Sequence, residues 1–240
     1  MKRFSFLSMI LLILLSLTTS KFLSKSFFAD NIKKISSTIL KKFLANKDFY
    51  VIDTRDMTII AEGYFPKSII LPTSLFSWMS AVIPDGANII VITDEKNEKT
   101  TLAKLNELNK YKIYGYGIYN ELVKSSFLNV EKIEYDPNTK LSIQYIVQSG
   151  GNIIDIREKA EYKETGVIQV AKLIPLSTFQ TDYSKIPKQG NVYVYCKSGM
   201  RAVIGMSYAK RAGYTNKFII MKGGMNKAIQ ERYPLVPYSG

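Results

Sequence analysis

Short runs rich in Val, Ile and Tyr alternate along this chain with longer segments whose apolar positions recur at helical spacing. In the C-terminal half the pattern predicts strands near 152–155, 171–174, 191–195 and 217–221, with helices over 158–163, 201–212 and 225–232. The strand segments are apolar at successive positions, as strands buried on both faces must be, and helices between them supply the cover. The expectation is an α/β protein of two domains, each a mainly parallel sheet flanked by helices.

Two domains follow from an internal repeat. Tyr50-Val51-Ile52-Asp53-Thr54-Arg55-Asp56 resembles Asn152-Ile153-Ile154-Asp155-Ile156-Arg157-Glu158. Gly63 and Gly166 each precede a short apolar segment, and Pro72 and Pro175 stand 103 positions apart. Asn88-Ile89-Ile90-Val91-Ile92 matches Asn191-Val192-Tyr193-Val194-Tyr195 at that same offset. The halves are assigned to residues 30–134 and 140–240, with Tyr135-Asp136-Pro137-Asn138-Thr139-Lys140, a cluster of turn formers, as the linker.

Ahead of the repeat, Lys2 and Arg3 precede an uncharged stretch from Phe4 to Ser20 that contains Met9-Ile10-Leu11-Leu12-Ile13-Leu14-Leu15. This is the layout of an export signal, and residues 1–20 are read as a signal peptide or an uncleaved membrane anchor. Thr18 and Ser20 are small enough for cleavage, whereas Lys21 directly afterwards favours retention. The body is therefore expected outside the cytoplasm, in the periplasm or its equivalent, with membrane association through the N-terminus as one form.

Composition narrows the chemistry. The 240 residues are 46% hydrophobic, enough for a sizeable core, and carry a formal charge of +13. The lysines are scattered without a dense basic run, so no nucleic-acid partner is assigned. The chain has no histidine and one cysteine. That removes Ser-His-Asp and Cys-His catalysis, an internal disulfide, and histidine or clustered-cysteine metal sites; neither a metal nor a cofactor is assigned.

The one cysteine is well placed. Cys196-Lys197-Ser198-Gly199-Met200-Arg201 lies between a strand ending at Tyr195 and a helix in which Ala202, Met206 and Ala209 share a face. Open α/β sheets place ligands at such strand ends. Backbone N–H groups and the helix dipole favour an anionic sulfur there, Lys197 and Arg201 add positive charge, and Gly199 allows the amides to curl into an anion-binding nest. Cys196 is the candidate nucleophile, its sulfur expected to be ionised and reachable by solutes.

This loop, the preceding Ile154-Asp155-Ile156-Arg157-Glu158 and the following Met221-Lys222-Gly223-Gly224-Met225 together resemble a rhodanese sulfurtransferase domain. The likeness covers about 140–235, with a weaker copy over about 35–125. It implies that Cys196 accepts sulfane sulfur from a small anionic donor such as thiosulfate and passes it to a thiophilic acceptor. It also implies that Lys197, Ser198, Gly199, Met200 and Arg201 form the substrate cradle, while Asp155 and Arg157 support the fold. The chain departs from the family in having Gly166-Val167-Ile168 where Gly-His-Ile is usual. In the first half, Thr93 stands opposite Cys196 and Glu98 opposite Arg201. Threonine cannot form a persulfide, and Asp94, Glu95 and Glu98 would repel an anion, so that domain is expected to be inactive.

Two other readings compete. A phosphatase would use a related Cys-loop-Arg cradle, but its loop is one residue longer in the families that resemble this one. A binding or redox partner of the cell envelope would use Cys196 in a mixed disulfide, since the chain offers no resolving cysteine.

Overall fold

The computed structural model describes residues 32–125 and 128–240. The N-terminal stretch read as a leader lies outside them. No helix among the described residues is long and apolar enough to cross a membrane.

Among the described residues, nine strands form two wholly parallel sheets. The first sheet contains β1 (Phe49–Asp53), β2 (Ile69–Ile70), β3 (Asn88–Thr93) and β4 (Lys112–Ile118), in the order β2-β1-β3-β4. The second contains β5 (Glu134–Asp136), β6 (Asn152–Asp155), β7 (Lys172–Leu173), β8 (Val192–Tyr195) and β9 (Phe218–Met221), in the order β5-β9-β8-β6-β7. Read from β7, the second order repeats the first and then adds β5. Asp53 pairs with Ile92 and Asp155 with Tyr195, so Thr93 and Cys196 follow matching positions.

The linker expectation needs correction at β5. Glu134, Tyr135 and Asp136 pair with Ile219, Ile220 and Met221, making this segment the edge of the second sheet. Three residues flanked by turn formers carry too little periodicity to be read as a strand; only the free edge of β9 makes them one. Elsewhere in this half, the helices Lys159–Thr165, Met200–Arg211 and Gly224–Gln230 lie within two residues of their expected bounds.

Strand alternation distributes the core. Ile52, Ile89 and Val91 of the first sheet share one continuous cluster with Ile154, Val192, Val194 and Ile220 of the second. The opposite faces build smaller clusters, around Leu40, Val51, Ile90 and Ile92 in one half and Ile143, Ile146, Ile153 and Met225 in the other.

The helix Met200–Arg211 sits where the halves meet. Ala202 through Ser207 and Ala209 are all buried, a wider face than the Ala202-Met206-Ala209 stripe alone. Burial on several sides explains Gly205: a Cβ there would lie 3.1 Å from Ile156 Cδ1 and 3.2 Å from Phe179 Cζ. Ser207 Oγ accepts a 2.9 Å hydrogen bond from Ile70 N, tying β2 of the first sheet to this helix of the second half.

Candidate functional site

Cys196 follows β8 directly, at the carboxyl end of a central strand. The next turn depends on Gly199, whose φ of +100° lies in the region that L side chains rarely adopt. With Gly199 so placed, its N–H points back and donates to Cys196 Sγ at 3.2 Å.

The base of the loop is fastened from below. Cys196 O accepts from Met225 N at 2.8 Å and Lys197 O from Asn226 N at 3.0 Å. These amides belong to the first turn of the helix Gly224–Gln230, so that helix start serves loop carbonyls. Gly224 makes the approach feasible: a Cβ on it would fall 2.1 Å from Cys196 O. Its own carbonyl accepts from buried Asn138 Nδ2 at 2.7 Å. The late Gly-Gly pair visible in the sequence is thus the seat of the cysteine loop. Asn138, 86 residues from Gly224, gave no such signal.

The expected ring of amides around the sulfur is narrower in the structure. Gly199 supplies the N–H that reaches Sγ, and Cys196 itself is 1% exposed. The sulfur expected to stand open to solutes therefore lies beneath its loop, packed with the shared core. Lys197 and Ser198 are exposed on the loop surface, and Met200 is 37% exposed.

Arg201 takes a place the sequence does not define. Its Nη1 and Nη2 donate to Glu161 Oε2 and Oε1, both at 2.7 Å, and its guanidinium lies 5.1 Å from the Trp78 ring centroid. A bidentate arginine–carboxylate pair fixes orientation as well as charge. Burial alone would raise the Glu161 carboxyl, but the Arg201 hydrogen bonds, a bond from Glu158 N and the neighbouring guanidinium charges hold it below the usual range. Burial alone would lower Arg201; its bonds to Glu161 and the proximity of Cys196 raise it instead. Glu161 has no motif to announce it, and its partner lies 40 positions away.

Asp155 and Arg157 are buried at 0% and 1% exposure beneath this layer. Arg157 Nη2 donates to Asp155 Oδ2 at 2.7 Å and to Gly166 O at 2.9 Å, while Nη1 reaches Thr165 Oγ1 at 2.6 Å. Burial pushes the Asp155 carboxyl up, opposed by Arg157. The pair joins the end of β6 to the end of the helix Lys159–Thr165, setting the position of Glu161 and, through it, of Arg201. Their hydrogen bonds include those to each other, to Thr165 and to Gly166, while that on Cys196 Sγ comes from Gly199. Among the described residues, no group of three or more Cys, Asp or Glu side chains is arranged to hold a metal ion.

Beside the loop is a cleft of about 470 Å³. Ser198, Gly199 and Met200 form part of its wall, Val203 and Ile220 continue it, and Met57, Thr58 and Ala61 close it from the first half.

Comparison with known proteins gives the arrangement its relatives. A family model described as rhodanese-like domain matches residues 143–231. A sulfurtransferase of Allochromatium vinosum is 31% identical over 88 residues, 37% of this chain and 80% of the relative. A rhodanese domain-containing protein of Drosophila melanogaster is 35% identical over 92 residues, 33% of this chain and 82% of the relative. Among solved structures, a thiosulfate sulfurtransferase from Pseudomonas aeruginosa is 17% identical with a TM-score of 0.36, covering 86% of this chain and 44% of its own. A rhodanese-like domain protein from Staphylococcus aureus is 24% identical with a TM-score of 0.36, covering 42% of this chain and 96% of its own. Because two relatives above 30% identity are matched over most of their length, and the matched segment contains the whole Cys196 loop and its seat, the chain belongs to the rhodanese-like family.

Proposed function

We propose that this protein is an exported sulfurtransferase that carries sulfane sulfur as a persulfide on Cys196. Family membership supports sulfur-transfer chemistry in general; the observation that carries the assignment to this residue is the Gly199 N–H on Cys196 Sγ, in a loop fastened by Met225 and Asn226. A thiolate is the nucleophilic form of cysteine. It attacks the outer sulfur of thiosulfate, the sulfur–sulfur bond of the donor breaks, and sulfite leaves with the bonding pair. Cys196 then bears an anionic outer sulfur, which a thiophilic acceptor removes in the reverse sense. The first half has Thr93 in place of the nucleophile and serves as a structural and cleft-forming partner. The uncharged stretch after Lys2 and Arg3 supports export or anchoring.

Burial of the free thiol means that small donors load it through displacement of the Ser198–Met200 segment, whereas bulky donors load it slowly. A phosphatase reading is weakened by Arg201, whose guanidinium both Glu161 oxygens already engage. Intact-mass measurement after incubation with thiosulfate should show one added sulfur per chain, lost in Cys196→Ser together with thiocyanate formation from cyanide. An unmodified Cys196 under several sulfane donors overturns the proposal.

A further inference from the structure

Inorganic sulfur anions are small and need charge, but the space beside the sulfur loop is large and apolar. The cleft of about 470 Å³ has walls of Met57, Ala61, Met200, Val203 and Ile220, with Tyr135 on one side. Lys222 is the one charged residue lining it among the described residues. Of the two cations in the Cys196 loop, Arg201 is engaged by Glu161 through both terminal nitrogens, and Lys197 is exposed on the loop surface outside the cleft lining. Met200 and Tyr135 remain 37% and 43% exposed, so this apolar wall faces outward.

Position ties the cleft to the chemistry. Gly199 both lines it and donates its N–H to Cys196 Sγ at 3.2 Å, so the residue that touches the sulfur also borders the cleft. A persulfide carries its outer sulfur about 2 Å beyond Sγ. That extension is of the right order to bring the transferable atom to the edge of the space.

Resting on the sulfurtransferase reading, we infer that the acceptor is a low-molecular-weight organic thiol with a hydrocarbon body, held in the cleft between the two halves by Met57, Ala61, Tyr135 and Met200. The acceptor thiolate attacks the outer sulfur of the Cys196 persulfide, forming a sulfur–sulfur bond in the product. The bond from that atom to Cys196 Sγ breaks, and its electron pair returns to Cys196 as thiolate. The acceptor's proton passes to solvent, and the product leaves as an organic persulfide. Sulfur moves with no outside oxidant or reductant.

The test loads the full chain with thiosulfate, removes excess donor, and follows discharge by thiols of matched acidity but rising apolar size, against cyanide as the small acceptor. Discharge rate should rise at least tenfold from a hydroxyl-bearing two-carbon thiol to a six-carbon or benzylic thiol. Ala61→Gln and Tyr135→Ser, both uncharged replacements at surface-accessible positions outside the sulfur loop, should erase most of that gain while loading and discharge to cyanide stay within about twofold. Equal rates across the thiol series, or a preference retained in both variants, overturns the inference while leaving the sulfurtransferase reading intact. Failure to load Cys196 at all overturns both.

Discussion

Asp53–Arg55 and Asp155–Arg157 occupy matching places in the two sheets, but their guanidinium groups end differently. Arg55 holds Asp53 at 2.7 Å and Gly63 O at 2.7 Å, leaves Nη1 without a hydrogen bond, and stacks 3.2 Å from the Tyr119 ring centroid. Arg157 uses Nη1 as well, reaching Thr165. The helix ended by Thr165 carries Glu161, which holds Arg201. In the second half the buried ion pair is therefore the foot of a connected series leading to the sulfur loop; in the first it ends against an aromatic ring.

The loops after the third strand in each half differ in the same sense. Thr93 is fully buried, its hydroxyl 3.4 Å from that of Thr101, and the following turn closes on itself through Asn97 N to Asp94 Oδ1 at 2.8 Å. Cys196 instead begins a loop whose carbonyls are held by another element and whose Gly199 amide is free to address the sulfur. One scaffold thus supports either a self-closed acidic turn or an externally seated sulfur loop. The seat, as well as the residue at the strand end, therefore separates the two halves.

The sharpest way to break this comparison is to move the thiol. A Thr93→Cys, Cys196→Ser double variant should fold yet take up no sulfur from thiosulfate, by intact mass; uptake at position 93 would show that strand position alone suffices. Next in size is the loss of each arginine. Arg157→Ala should lower unfolding free energy by about 3–5 kcal/mol, because it strands a buried carboxylate. Arg55→Ala should cost roughly 1 kcal/mol less, about one hydrogen bond, and denaturant titration of both variants measures the gap.

The smallest effect concerns Glu161. Its carboxyl is held below the usual range in the folded state, so its ion pair contributes above the unfolded-state value and is lost as pH falls through the folded one. Glu161→Gln should therefore melt below the wild type near neutral pH. The two melting curves should converge as pH drops below the ordinary carboxylate range, whereas a constant difference would remove the ion pair from the account.

Most of the scaffold was open to a reading of the chain because β-branched runs and helical spacing are local properties. β6, β8, β9 and the helix after Cys196 appear close to where those patterns put them. Gly199 and the Gly223–Gly224 pair stand out for the same reason, since positive φ is a local demand that glycine meets. What each group touches was a different matter. β5 becomes a strand only because β9 offers an edge, the Cys196 thiol is covered by packing, and Arg201 finds Glu161 through the placement of a separate helix. The cleft needs Met57 and Ala61 brought from the other half. The amino-acid sequence by itself marked the candidate nucleophile and determined the type of element around it. Tertiary structure alone decided the partners of its charges and the shape of the space beside it, because those depend on residues distant in the chain meeting at one point.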